Sequence, residues 1–576
     1  MPSNRGRHEP MDPKWVLAIC GAIAYASIHL GLVMAGTGVN VVRLDESLRV
    51  FLDLVVGAPL ETTRWLDNHP DLTRAPLVPT IIWTLVFLAV FITAALLLRK
   101  LYRHIVGADN IQGQATAREL QKRVKGTQHV EVSDPFAFLQ GKPLAARSED
   151  TATIAAPPRM GKTVRIVVGR IVARISSSTG PVVVTSTKGD VVRLTAGIRR
   201  SVGNIHVFDP EGVMSWPNPT RWDIVAGCEE DREAQERARA MVAAKPMGQE
   251  KNSGFFSDAS ETVLRCLLHA AALDGRNFRD VLRWTRNFGD DTPYDILAND
   301  PRAVDGWLDD LRKFCRGDAR ETVDSTAMSL SNVLKAFAIE SILDSVCPSD
   351  DAPLFDSSSF HSTTDTLYLL SESGENSLAA PIITALVTSV EKAARRASQK
   401  TASGRLSPPL SMVLDEVANV APIPSLPSLM SDGGGRGILT WAVIQGRSQL
   451  RARWGNDGAE TILNSSTILI VLGGLKDISW LEELSKLSSK REVLKTSTTQ
   501  SMQGGSTQFS DQSEEVLTVG DIRELPEGRA LMFYREMAAA VVDLPGFWET
   551  KRKAEFSASE AWVLEHEGLT TTEVAS

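Results

Sequence analysis

The chain has few of the groups from which metal or redox chemistry is built. Its five cysteines, Cys20, Cys228, Cys266, Cys315 and Cys347, are scattered without a close pair. That excludes zinc-ligand spacing and argues against a disulfide framework. The nine histidines are equally dispersed, so no metal–imidazole cluster is legible. An excess of positive charge is also missing: 62 Lys and Arg face 70 Asp and Glu, for a formal net charge of −8. A surface coated in basic residues is therefore excluded, and any contact with nucleic acid must be local, in a groove or pore. What the chain does have is length, 576 residues, and 43% hydrophobic content. Two or three folded units with a substantial core are expected.

Two long apolar runs stand near the N-terminus. A polar tail, residues 1–14, carries Arg5, Arg7 and Lys14, and residues 15–36 then run without a formal charge. Residues 77–98 form a second such run, ending in Arg99-Lys100-Leu101-Tyr102-Arg103. Each is about the 20 residues that cross a bilayer, longer than the apolar region of a cleaved signal peptide. The loop between them, 37–76, sets Arg43, Arg49, Arg64 and Arg74 against Asp45, Glu46, Asp53, Glu61, Asp67 and Asp71. Positive charge at the outer ends of the pair predicts a two-span anchor with both termini in the cytoplasm. Residues 99–135 read as a juxtamembrane connector.

The most informative stretch is 151–175. An apolar run of strand length leads into Ala156-Pro157-Pro158-Arg159-Met160-Gly161-Lys162-Thr163. Val164, Val167, Val168, Ile171, Val172 and Ile175 then recur at helical spacing. Strand, tight loop, Gly-Lys-Thr and helix are the parts of a phosphate-binding loop, whose successive backbone N–H groups cradle a polyphosphate at a helix N-terminus. Lys162 is expected to reach the β- and γ-phosphates of ATP, and the Thr163 hydroxyl to ligate Mg²⁺. Pro157, Pro158, Arg159, Met160 and Gly161 complete the cradle. One position departs from G-x-x-x-x-G-K-[ST]: the first glycine is Ala156.

Beyond it, 181–185, 205–208, 366–370, 409–414, 437–444 and 467–472 read as strands alternating with helical segments. That pattern predicts a parallel α/β sheet with its ligand sites at the strand C-terminal ends. Residues 228–360 hold an all-α insertion, which divides a nucleotide-binding domain into 136–227 and 361–556. Residues 495–515, rich in Ser, Thr, Gln and Gly, are expected to form a mobile loop or linker. Residues 530–534 and 538–542 suit a closing hairpin, and 557–576 an acidic, loosely held tail.

Phosphoryl transfer needs a cradle, a metal, a positioned water and neutralised transition-state charge. The strand at 409–414 ends in Asp415-Glu416, an acid pair that is costly beside a buried strand unless a cation or water uses it. Asp415 is expected to hold Mg²⁺ through water and Glu416 to polarise the attacking water. Gln445, one strand later, is expected to sense the γ-phosphate or the nucleophile. Taken alone, the acids also suit a helix N-terminus and Gln445 a capping amide. Lys-Thr, Asp-Glu and Gln at three strand ends in this order favour an ATPase. Arg436 and Arg447 bracket the glutamine strand. Either is a candidate arginine finger acting in trans within a ring, with a surface or DNA-facing arginine as the alternative.

In this order the chain resembles the type IV secretion coupling proteins, the TraG/TraD-type conjugative DNA-transfer ATPases. The resemblance covers most of the chain. It runs from the two apolar spans through Gly113-Gln114-Ala115-Thr116-Ala117-Arg118-Glu119-Leu120, the phosphate loop and Phe208-Asp209-Pro210. It is most specific in Leu414-Asp415-Glu416-Val417-Ala418-Asn419, Ile423-Pro424-Ser425-Leu426, Gly435-Arg436-Gly437-Ile438 and Ile444-Gln445-Gly446-Arg447-Ser448-Gln449-Leu450. The resemblance implies a RecA-like P-loop ATPase domain interrupted by an all-α domain and preceded by two transmembrane helices. It further implies a homo-hexameric ring on the cytoplasmic face of the inner membrane, using ATP and Mg²⁺. Its partners would be relaxase-bound single-stranded DNA, the relaxosome, and the components of a type IV secretion channel. A coupling ATPase for protein effectors and an FtsK-like DNA translocase are the alternatives; the latter predicts further spans and a small C-terminal winged-helix domain. Three positions depart from the family pattern: Ala156, Thr185-Ser186-Thr187-Lys188 where Asp-Pro-Lys is more frequent, and Gly446 where serine commonly follows the glutamine.

Overall fold

In the computed structural model the described residues are 85–86, 89, 135–173, 180–245, 253–347, 353–372, 377–488, 490–501 and 504–569. The two predicted spans lie outside them, apart from Leu85, Val86 and Ala89, which are helical. No helix among the described residues is long and apolar enough to cross a membrane.

The chain from residue 135 is built on one sheet of eleven strands. In chain order they are β1 (Ala137–Leu139), β2 (Lys142–Leu144), β3 (Ala152–Ala155), β4 (Val182–Ser186), β5 (Ile205–Phe208), β6 (Thr366–Leu370), β7 (Leu410–Leu414), β8 (Ile438–Ile444) and β9 (Ile468–Leu472). After β10 (Lys490–Ser501) and β11 (Gly504–Glu515), which pair only with each other, β12 (Arg529–Tyr534) and β13 (Ala540–Asp543) complete the set. The spatial order is β2-β1-β13-β12-β9-β3-β8-β7-β4-β6-β5. From β9 to β5 every pairing is parallel, and from β9 to β2 every pairing is antiparallel.

Continuous apolar runs such as Ile-Leu-Thr-Trp-Ala-Val-Ile in β8 make strands of this kind because helices cover both faces of the sheet. Successive residues of β8 alternate between two cores: Trp441 and Val443 enter one, Ala442 and Ile444 the other. The first face is covered by α1, a π-helical turn over Thr163–Val167 running into Val168–Ile171, by α2 (Asp190–Arg199) and by the C-terminal helix. Between β5 and β6 the described elements are helices, α3 (Asp231–Ala243), α4 (Ser253–Leu273), α5 (Phe278–Arg286), α6 (Thr292–Asn299), α7 (Trp307–Arg316), α8 (Arg320–Val333) and α9 (Glu340–Ser345), with short 3₁₀ turns at Lys335–Ala338 and Phe360–Ser362. Their core is continuous with that of the other sheet face, where α10 (Ala380–Gln399) packs against α3. Arg237 of α3 fixes the entry to this helical region. Its guanidinium donates to the Ile224 and Ala226 carbonyls at 2.8 and 2.6 Å and lies 5.1 Å from the Trp222 ring.

Two sequence expectations are corrected. The stretch at 495–515 is not an unstructured linker but most of a two-stranded ribbon, β10–β11, with twelve register pairs from Lys490↔Glu515 to Ser501↔Gly504. Its Ser/Thr/Gln composition carries no apolar alternation by which the sequence would mark a strand. The acidic end is not loosely held to residue 567: Lys553–Glu567 is a helix. It packs on α2 through buried Phe556, Val563 and Leu564, the Ser559 hydroxyl accepts from the Gly197 N–H at 2.8 Å, and Arg193 donates to Glu567 at 2.7 Å.

Candidate active site

β3 is the central strand of the eleven-stranded sheet and belongs to its parallel region, with Ala155 opposite Ile444 of β8 and Val471 of β9. The Ala156 N–H donates to the Ile444 carbonyl at 2.9 Å, and the chain then leaves the sheet for the phosphate loop. Left-handed backbone falls at Arg159 (φ +66°) and Gly161 (φ +72°), and not at Ala156. The missing first glycine therefore costs no backbone strain, and the Ala156 methyl is buried in the core. At Gly161 a Cβ would meet the Arg165 Nε at 3.0 Å and a Glu527 oxygen at 3.1 Å, so both φ and space demand glycine. The first helical turn after the loop is widened to π geometry, a form that is frequent at functional sites.

Two strands away, at the end of β7, stand Asp415 and Glu416. Lys162 Nζ lies 2.9 Å from Glu416 Oε1 and 3.2 Å from Asp415 Oδ1. The Thr163 hydroxyl donates to Asp415 Oδ2 at 3.2 Å. Two adjacent pairs of residues, more than 250 positions apart in the chain, thus share one cluster, nearly closed to solvent at Asp415 (4% exposed). Burial pulls the Lys162 ammonium down, but the two adjacent carboxylates outweigh it and hold its pKa above the ordinary lysine value. Burial raises the Asp415 carboxyl, and Glu416 adds to the rise. Glu416 itself sits in left-handed backbone (φ 52°, ψ 42°), a strained conformation for a non-glycine residue and one that clusters at functional sites. The amides of Asn419 and Val420 hold its carbonyl at 2.8 and 3.0 Å as α11 (Val417–Val420) begins.

The donor set suits Mg²⁺. A hydroxyl and a carboxylate already within hydrogen-bond distance could offer two oxygen ligands, and Mg²⁺ usually takes its other ligands from water and phosphate. Among the described residues no group of three or more His, Cys, Asp or Glu could hold a metal, which sets a site of this lean kind apart from a dedicated protein cage.

The remaining expected residues divide. Gln445 follows β8 directly, so it lies at the same sheet edge as the phosphate loop, and its N–H donates to the Gln449 side chain at 2.9 Å. Gly446 is extended (φ 176°), a conformation that any residue adopts. Arg436 stands at the opposite end of β8 and is not brought to the cluster within the chain. Its Nε donates to Asp432 at 2.9 Å, and Asp432 also accepts from Arg395 at 2.8 Å. Arg447 is buried at the start of α12 (Arg447–Ser465), paired with Glu483 at 2.5 Å and lying near the Trp480 ring.

Several working residues escaped the sequence. The Thr185 hydroxyl, at the end of β4, donates to the Asp415 carbonyl at 2.8 Å and fixes the turn that aims both acids. The Phe208-Asp209-Pro210 motif proves to be scaffolding. Asp209 accepts from the Val213 and Met214 amides, although burial keeps its pKa raised. The neighbouring Glu211 accepts from Ser371, Glu372, Leu378 and Ala379, tying the end of β6 to the start of α10.

A family model described as the TraM recognition site of TraD and TraG matches residues 409–527, a span that contains Asp415, Glu416, Arg436, Gln445 and the ribbon. No curated protein matches the chain. Among solved structures, the fold is shared with the bacterial conjugative coupling protein TrwBdeltaN70 in its unbound form, at 19% identity over 75% of this chain and 92% of that one, with a TM-score of 0.55. The plasmid coupling protein TrwB in complex with ADP and Mg²⁺ matches at 18% identity over 76% and 94% of the two chains, with a TM-score of 0.53. Its complex with the non-hydrolysable ATP analogue ADPNP matches at 18% over 75% and 92%, with a TM-score of 0.52.

Proposed function

We propose that this chain is a coupling ATPase of the TraG/TraD kind, which uses ATP hydrolysis to deliver relaxase-bound single-stranded DNA to a conjugative transfer channel. The observation that carries the reading is the meeting of Lys162, Thr163, Asp415 and Glu416 at the C-terminal edge of a parallel sheet. The TraD/TraG family match over 409–527 and the fold shared with a conjugative coupling protein support it.

In this reading the loop amides from Pro157–Thr163 cradle the polyphosphate, apart from the two prolines, which contribute shape and no donor. Lys162 leaves its carboxylates for the β- and γ-phosphate oxygens, which frees Glu416 to accept a proton from the attacking water. Thr163 and Asp415 would hold Mg²⁺, which when bound neutralises phosphate charge. Gln445, on the neighbouring strand end, senses the γ-phosphate or orients the water. Arg436 lies beyond the far end of β8, whose seven residues span about 20 Å at about 3.3 Å per residue, and would serve a neighbouring subunit's site. That fits a homo-hexameric ring. The apolar runs at 15–36 and 77–98 would anchor the ring to the inner membrane with its ATPase domain in the cytoplasm.

The substrate is tested by crosslinking the protein to single-stranded DNA across a salt series. Protection at low salt that falls steeply as salt rises is expected, because the contacts are to backbone phosphates. No protection at low salt would contradict DNA as the cargo and favour protein effectors.

A further inference from the structure

One arginine that the nucleotide reading leaves unused is committed to contacts around the phosphate loop. Arg165 projects from the first turn of α1 and is only 11% exposed at its side chain. Its Nε and Nη2 donate to Glu527 Oε1 at 3.3 and 3.2 Å. Its Nη1 donates to the Leu544 carbonyl at 2.9 Å and to Glu549 at 3.3 Å, and the guanidinium lies 5.2 Å from the Trp548 ring centroid. Every one of these partners comes from the segment around β12 and β13, more than 360 residues along the chain. The same side chain and Glu527 roof Gly161, leaving no room there for a Cβ.

The other side of the loop is met by a second contact from the same region. Gly474, just after β9, lies against Pro157 and Met160, where a Cβ would stand 3.5 and 3.8 Å from them. Its N–H donates to the Arg523 carbonyl at 2.8 Å. The excursion that leaves the sheet after β9 and returns at β12, through α13 (Ile478–Leu487), the ribbon and α14 (Val519–Arg523), therefore closes on itself at its base. Both feet of that base touch the phosphate loop.

We propose that Arg165, clamped by Glu527 and Glu549, is a positioning residue that sets the backbone of the phosphate loop at Gly161 and with it the affinity for the nucleotide's polyphosphate. The inference rests on the ATPase reading above. A cradle binds a polyphosphate only while successive N–H groups point inward, and a left-handed glycine within it is what aims them. Glycine alone does not hold that conformation, since it populates many others at little cost. Arg165 and Glu527 supply the restraint from outside, while Lys162, Asp415 and Glu416 are held from the β7 side. Loss of the clamp should therefore weaken nucleotide binding and spare the chemical step.

The test is ATP hydrolysis by the purified full chain, with kcat and KM measured separately. Arg165→Ala is expected to raise KM for ATP about tenfold while kcat stays within about twofold. Arg165→Lys should fall between, because an ammonium reaches one carboxylate but lacks the planar fork that spans Glu527, Glu549 and the Leu544 carbonyl. Glu527→Gln, at a half-exposed position that tolerates substitution, should raise KM by about two- to threefold at an unchanged melting temperature. An unchanged KM in both Arg165→Ala and Glu527→Gln would overturn the proposal. So would kcat and melting temperature falling together, which is the mark of a merely structural residue. A wild-type chain that hydrolyses no ATP would instead remove the ATPase reading itself.

Discussion

Glu416 carries two signs of a working residue at once: left-handed backbone at a non-glycine position, and a carboxylate hydrogen-bonded to the phosphate-loop lysine. In the proposed role of a base that polarises water it would contribute to the chemical step and not to nucleotide capture. Glu416→Gln, which keeps size and hydrogen bonding, should retain ATP binding and lose hydrolysis by about 10²- to 10⁴-fold, the usual contribution of a general base; normal turnover would remove Glu416 from that role. Thr185 acts one step back. Its hydroxyl holds the Asp415 carbonyl from the adjacent strand. Thr185→Val keeps the shape and leaves that carbonyl without its donor, at a cost of about 1–3 kcal/mol. Thermal melting should show the loss and Thr185→Ser should restore most of it, while equal melting of both variants would show the bond to be dispensable.

At the scale of elements, the strands of the parallel region were legible because both faces of the sheet are covered, so each reads as an uninterrupted apolar run between turn residues. The helical insertion was legible as their absence. The C-terminal helix was not, because its buried contacts, Phe556, Val563 and Leu564, are spread among acids that suggest a solvated tail. Leu564→Ala should cost about 2–5 kcal/mol as a buried large-to-small change. A denaturation midpoint equal to wild type would return the segment to a loose tail. The β10–β11 ribbon was hidden for a different reason: no side-chain pattern marks a ladder built on backbone pairing. In the site, Lys162, Thr163, Asp415 and Glu416 could be read because each lies in a local motif. Thr185 and Arg165 could not, because their partners lie 230 and 362 residues away and only the fold brings them together.

Over the whole molecule, the thiols and the arginines report on different things. Cys228, Cys266, Cys315 and Cys347 are free and buried, and burial pushes the first three up to about 11, 12 and 12. At pH 8 these four should resist alkylation in the native protein and react together only on unfolding, since the thiolate is the nucleophile. Rapid native labelling of any of them would show that the helical region opens. Arg436 reports on assembly. It lies at the far end of β8, held by Asp432, and in the proposed ring it would serve a neighbour's site. Lys162→Ala and Arg436→Ala chains, each inactive alone, should regain part of the ATPase activity when mixed, because a neighbour restores what each lacks. No recovery on mixing, under conditions where the chains co-assemble, would exclude a finger in trans at this position.

The central claim is that the cluster around Lys162 hydrolyses ATP and that this hydrolysis drives DNA transfer. Lys162→Ala, assayed beside wild type for ATP hydrolysis and for transfer of DNA to recipient cells, tests it most directly. The account predicts loss of both activities in a chain that still folds. Transfer retained at the wild-type level by Lys162→Ala would contradict it.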